Sequence, residues 1–127
     1  MDIIISKTSK EPIYRQIRNQ IRNSILKGSL KSGDILPSIR KLAKDLQVSV
    51  VTTKKAYEVL EQEGYIEFRL GTGSFVANKN LNWMEKQKYN TTIERIETLI
   101  EESLLLGINL DELKMIIINR IEEREKD

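Results

Sequence analysis

Apolar side chains recur along this chain at helical spacing in several places. Ile13, Ile17, Ile21 and Ile25 stand four apart, which puts one stripe on a helix face. Pro12 suits a first helical turn and Gly28 a stop, so a helix is predicted over about Pro12–Lys27, with Arg15, Arg18 and Arg22 off the stripe. Lys31–Asp34 reads as a turn. Ser38 is a good cap for a second helix whose inner face is Ile39, Leu42, Ala43 and Leu46. Gln47–Ser49 breaks that pattern. Ser49 then caps a third helix, about Val50–Glu63, which buries Ala56, Val59 and Leu60 and closes at Gly64. Residues 2–5 suggest a short strand. Two more strands, Tyr65–Arg69 and Ser74–Ala77, flank the glycine-bearing loop Leu70–Gly73.

Residues 78–89 are polar around Trp83 and Met84 and read as a linker able to begin a helix. Thr91 and Glu94 have capping-box spacing, and Ile93, Ile96, Leu99, Ile100 and Leu104 follow on one face until Gly107. Asn109 and Glu112 repeat the spacing. Leu110, Leu113, Ile117 and Ile121 line a fifth helix, widened by Met115, Ile116 and Ile118. The pattern predicts a mainly α protein with a small β wing. Residues 1–80 would form a winged helix-turn-helix, and residues 81–127 a two-helix segment.

That last segment is too small to bury its aliphatic side chains alone. Burying five of them would contribute roughly 8–15 kcal/mol before entropy costs. The expectation is a homodimer joined through Ile93, Ile96, Ile100, Leu104, Leu113, Ile117 and Ile121. The rival arrangement folds these helices back on the winged unit.

The 127 residues contain neither Cys nor His, which removes disulfides, thiolate nucleophiles, the commonest general base and the commonest metal ligands. No phosphate-binding loop or cofactor motif is present, so neither an enzyme nor a cofactor is expected. No apolar run approaches a membrane span, and the first residues lack signal-peptide order, so a cytoplasmic protein without a membrane partner is expected. The net charge of +2 is unevenly spread. Residues 1–80 hold 14 basic and 8 acidic side chains; residues 81–127 hold 7 and 11. A basic first part suits a polyanion.

The winged order gives that charge a direction, since the start of the third helix is the part that enters a major groove. Here it reads Ser49-Val-Val-Thr-Thr-Lys-Lys55, polar at Thr52, Thr53, Lys54 and Lys55, with apolar residues resuming at Ala56. Lysines at two neighbouring positions are often only a solvated face, and Gly71 and Gly73 would serve a hairpin turn in any case. Tyr14, Tyr57 and Phe75 read as core residues, and Trp83 as a packing anchor.

The stretches Leu36-Pro-Ser-Ile-Arg-Lys-Leu-Ala43, Val48-Ser49, Ala56-Tyr57, Leu60-Glu-Gln-Glu-Gly-Tyr-Ile66 and Arg69-Leu-Gly-Thr-Gly-Ser-Phe-Val-Ala77 occur in order, after Pro12-Ile-Tyr-Arg-Gln-Ile17. Over about residues 3–78 the chain resembles the GntR family of bacterial regulators, and its short second part is similar to the YtrA-like subgroup, whose two C-terminal helices dimerise. The resemblance implies a transcriptional regulator, a repressor, that binds double-stranded DNA at a palindromic operator. It implies that Arg40 reaches DNA and that Ser38 contacts or positions a phosphate. Ser49, Thr52 and Lys54 match polar recognition-helix positions, and Arg69, Gly71, Thr72 and Gly73 match a wing that approaches the minor groove. The chain departs from the family at Val50, where an arginine is common, and at Val51. A valine there would still suit a thymine methyl. Thr53 stands where an apolar residue is usual. An unidentified small-molecule effector is a further expectation. The competing function is a winged helix used for protein contact without specific DNA binding.

Overall fold

A computed structural model describes residues 1–127. Five helices and one two-stranded sheet follow in the order α1 (Ile13–Leu26), α2 (Ile39–Leu46), α3 (Val50–Gln62), β1 (Ile66–Arg69), β2 (Gly73–Val76), α4 (Leu81–Leu105) and α5 (Leu110–Glu125). The chain divides into two compact units, Met1–Met84 and Glu85–Asp127.

In the first unit the four-residue repeat of α1 does what its spacing predicts. Ile17, Ile21 and Ile25 are buried with Leu42 of α2 and Ala56, Tyr57 and Leu60 of α3, and Ile13 packs at the edge of this cluster. Full burial of such side chains contributes about 1.5–3 kcal/mol each, which makes this cluster the unit's main support. Arg18 approaches Glu63 at 3.8 Å, joining α1 to the residue that ends α3.

Turns between the helices are closed by backbone bonds. After α2 the Val48 N–H donates to Ala43 O at 3.0 Å and the Gln47 N–H to Lys44 O at 3.2 Å. This paired closure needs a left-handed residue, and Gln47 supplies it at φ 56° although it is not glycine. A left-handed conformation costs an L-residue roughly 1–2 kcal/mol, a cost that Val48, packed on the core, helps to offset. The same pair of bonds closes α3, from Tyr65 N–H to Leu60 O and from Gly64 N–H to Glu61 O.

β1 and β2 pair antiparallel, with Ile66 opposite Val76 and Arg69 opposite Gly73. A third extended piece was not legible in the sequence. The Gly33 N–H donates to Val76 O, the Val76 N–H to Asp34 O and the Leu36 N–H to Ser74 O, each at 2.9 Å, and Ile35 bridges Phe75. The stretch leading to α2 is thereby tied to the wing. Residues 2–5, expected as a strand, pair with no strand. Instead the amide of Gln20 accepts from the Ile4 N–H at 2.9 Å and donates to Ile4 O at 2.7 Å, so a glutamine side chain replaces the partner strand.

The linker expected over residues 78–89 is helix from Leu81 onward. Asn80 caps it, its Oδ1 accepting the Trp83 N–H at 2.8 Å. Trp83 stands edge-on to Tyr65 at 5.1 Å, and Met84 also packs on the first unit's core, so tertiary contact holds this turn in place. Thr91 therefore lies inside a running helix, and the capping box expected there does not form. α4 ends in a turn where the Ile108 N–H donates to Ser103 O and the Gly107 N–H to Leu104 O, each at 3.0 Å. Asn109 caps α5 by accepting the Glu112 N–H at 2.8 Å, as its spacing predicts.

Candidate nucleic-acid interface

Two serines prepare the surface over residues 38–55. The Ser38 hydroxyl accepts the Lys41 N–H at 3.2 Å, and the Ser49 hydroxyl accepts the Thr52 N–H at 3.0 Å. Each cap satisfies one of the donors that a helix start leaves unpaired, and the remaining first-turn N–H groups face outward with the positive end of the helix dipole. Ser38 and Ser49 are exposed but already engaged as caps, so their first role is to aim the helix starts.

Arg40 is exposed in the first turn of α2 and enters no ion pair. Lys54 is exposed and lies 3.8 Å from Glu58 on its own helix. A pair this open to water is worth little, so Lys54 is free to exchange Glu58 for a phosphate or a base. Lys55 is less free, since its ammonium sits 4.2 Å over the Tyr14 ring from α1. Thr52 is half-buried, and its hydroxyl accepts from Ser49 Oγ at 2.7 Å.

Thr53 corrects an expectation. It is fully buried, with its hydroxyl donating to Ser49 O at 3.1 Å, so its side chain is not available to DNA. The helical turn carries it to the buried face of α3, and the carbonyl one turn back satisfies the polar atom. Val50 and Val51, in the turn before it, are 41% and 78% exposed.

Tyr57 was read as a core residue, and it does more than fill space. Its ring is buried, and its hydroxyl donates to Pro37 O at 2.7 Å. That bond joins α3 directly to the residue before the Ser38 cap, and so fixes Arg40 relative to the recognition turn. Burial pushes the phenol well above the ordinary tyrosine range, so the donor stays protonated at any physiological pH.

The wing tip turns sharply between Arg69 and Gly73. The Thr72 N–H donates to Arg69 O at 3.0 Å, and Gly71 and Gly73 are left-handed at φ 85° and 95°. Nothing lies within 4 Å of where a Cβ would stand at either position, so it is backbone conformation and not crowding that requires glycine. The Arg69 guanidinium stacks 5.1 Å from the Phe75 ring, and Thr72 is exposed beside it. Leu70, at the tip, is 93% exposed. Its position between Arg69 and the first wing glycine was the available signal for this residue.

In the second unit α4 buries only Ser103 and α5 only Leu113. Ile93, Ile96, Leu104 and Ile121 are exposed, and Ile100 and Ile117 half-buried. Leu113 departs from the expected set of partner contacts, being already buried in the single chain with little surface left to offer. No helix is long and apolar enough to cross a membrane, and no three His, Cys, Asp or Glu side chains stand together to hold a metal.

Residues 13–76 match the family model described as bacterial regulatory proteins, gntR family. The HTH-type transcriptional repressor YtrA of Bacillus subtilis (strain 168) is 36% identical over 111 residues, which are 87% of this chain and 85% of that protein. The solved structure of a GntR family transcriptional regulator from Listeria monocytogenes is 30% identical, with a TM-score of 0.70 over 91% of this chain and 98% of that one. AraR(DBD), solved in complex with operator ORX1, is 25% identical, with a TM-score of 0.54 over 61% of this chain and 96% of its own. With residues 13–76, from α1 to β2, matched by the family model and 87% of the chain covered by the likeness to YtrA, the chain belongs to the gntR family of bacterial regulatory proteins, as a short, YtrA-like member.

Proposed function

We propose that this protein is a repressor that binds a palindromic DNA operator as a homodimer in the cytoplasm. The observation that carries the reading is the exposed recognition turn of α3, capped by Ser49 and bearing Lys54, with the unpaired Arg40 and the Arg69–Gly73 wing as further contacts. Arg40 and Lys54 reach base edges or phosphates, Lys55 and Arg69 neutralise phosphates, and Gly71 and Gly73 let the wing backbone approach the minor groove. Ser38, Ser49 and Thr52 aim the two helix starts.

Pairing rests on the second unit. Ile93, Ile96, Leu104 and Ile121 remain in water in a single chain, and a two-fold partner offers the same apolar surface in return. Two recognition helices about 34 Å apart, or a multiple of that, would then meet two half-sites on one face of the duplex. YtrA, called a repressor, and AraR(DBD), bound to its operator, support the reading by similarity. Footprinting of the full chain on DNA from its own upstream region, with light scattering at micromolar concentration, tests it. A protected site with two-fold symmetry and a dimeric mass are expected. A monomeric mass, or binding that shows no preference for any duplex, overturns it.

A further inference from the structure

Val51 is the second residue of α3 and is 78% exposed, and Val50 before it is 41% exposed. Folding accounts for neither. Valine is β-branched and forms helix less readily than alanine or lysine. The helix start is already capped, because Ser49 accepts the Thr52 N–H. Neither valine belongs to the buried cluster or to the side chains packed against it. The arrangement is the reverse of what a solvated helix end would show: the polar Thr53 is turned into the core, and two isopropyl groups stand out beside Ser49 and Lys54.

An apolar tip at this position has a limited choice of partner on a base edge. The major groove presents one aliphatic group, the C5 methyl of thymine. A residue such as arginine at the same place would instead take the paired acceptors of guanine. We propose that Val51, with Val50 beside it, reads thymine in the operator half-site through its methyl group. The inference rests on the reading of α3 as the DNA-recognition helix, and adds the base that this turn selects. The contact is one of shape and desolvation and involves no hydrogen bond, so it discriminates thymine from uracil, which presents the same hydrogen-bonding edge without the methyl.

The test begins with a duplex enriched from a random library by the full-length chain. Each thymine in its protected half-sites is replaced by uracil, one position at a time, and affinity is read by fluorescence anisotropy. At one or two positions per half-site the wild-type chain is expected to bind about fourfold more weakly for each methyl lost, the scale of one buried methyl group. Val51→Ala removes a side chain that lies outside the buried cluster and is 78% exposed, and places a better helix former there, so the variant folds. It is expected to bind the thymine duplex as weakly as the wild type binds the uracil duplex, and to be indifferent to the exchange. Enrichment of no duplex overturns the DNA-binding reading together with the inference. A duplex that binds tightly but tolerates uracil throughout overturns the inference alone. A uracil penalty that persists unchanged in Val51→Ala, and in Val50→Ala, overturns the assignment of the methyl contact to these residues.

Discussion

The two units of this protein use similar aliphatic side chains to opposite ends. The winged unit hides most of its aliphatic side chains: Ile17 and Ile21 of α1, Leu60 of α3, and Ile66 and Val76 of the sheet have almost no contact with water. The helical unit leaves Ile93, Ile96, Leu104 and Ile121 exposed, and buries one residue in each helix. Three helices and a sheet enclose a core from several sides, whereas two helices cannot enclose theirs. The first unit buries its core within a single chain; the second leaves most of its aliphatic side chains in water.

The most severe break in the comparison is Ile21→Ala. It empties a fully buried position and is expected to destabilise the winged unit by about 3–5 kcal/mol in urea unfolding. The corresponding change in the second unit has a different signature. Charging Ile96 and Leu104 together, as Ile96→Glu with Leu104→Glu, is expected to leave the winged unit folded by circular dichroism. It should shift the mass to monomer and weaken operator binding roughly a hundredfold, about 3 kcal/mol, as two half-sites cease to be held together. If that pair of changes melted the winged unit instead, the two units would not be independent.

Smaller effects sharpen the contrast within the winged unit. Arg40→Ala touches no core residue and is expected to cost about 1–3 kcal/mol of operator affinity with no change in melting temperature. Tyr57→Phe removes the bond to Pro37 O and is expected to cost about 1 kcal/mol of stability. It carries a pH signature. The folded phenol holds its proton more tightly than the unfolded one, so wild-type stability falls as pH rises above about 10, the ordinary tyrosine value. The phenylalanine variant should lose that part of the alkaline slope. The smallest expected effect is a gain. Gln47→Gly relieves the left-handed residue between α2 and α3 and is expected to stabilise the unit by about 0.5–1 kcal/mol in the same unfolding assay.

Most of the winged unit was legible because its signals are local. The four-residue spacing of α1, the serine caps before α2 and α3, and the glycines at the wing each act within a turn or two of chain. The candidate interface was legible to the same extent: Ser49 and Lys54 stand where the spacing put them, exposed on the leading turn of α3. Thr53 was legible only in part: it stands where the resemblance expects an apolar residue, but beside Thr52 its own chemistry looks the same until the helix is docked and it meets the core. The start of α4 was misplaced for a related reason. Asn80 offers a cap, but what holds the turn after it is Trp83 against Tyr65, a contact across 18 residues of chain. The edge made by residues 33–36 depends on hydrogen bonds to Ser74 and Val76, about 40 residues away.

By itself the sequence determined where the helices other than α4 begin, where each ends within a residue or two, and that the last two helices carry more apolar surface than they can bury. These follow from caps, periodicity and composition, whose physics is short-ranged. Only the tertiary structure decided which polar residues of the recognition turn remain outside, that Tyr57 ties α3 to the start of α2, and that Val51 and Leu70 stand exposed at the two tips. Those outcomes depend on which distant surface each side chain meets, and burial is a property of the packed chain, not of the residue.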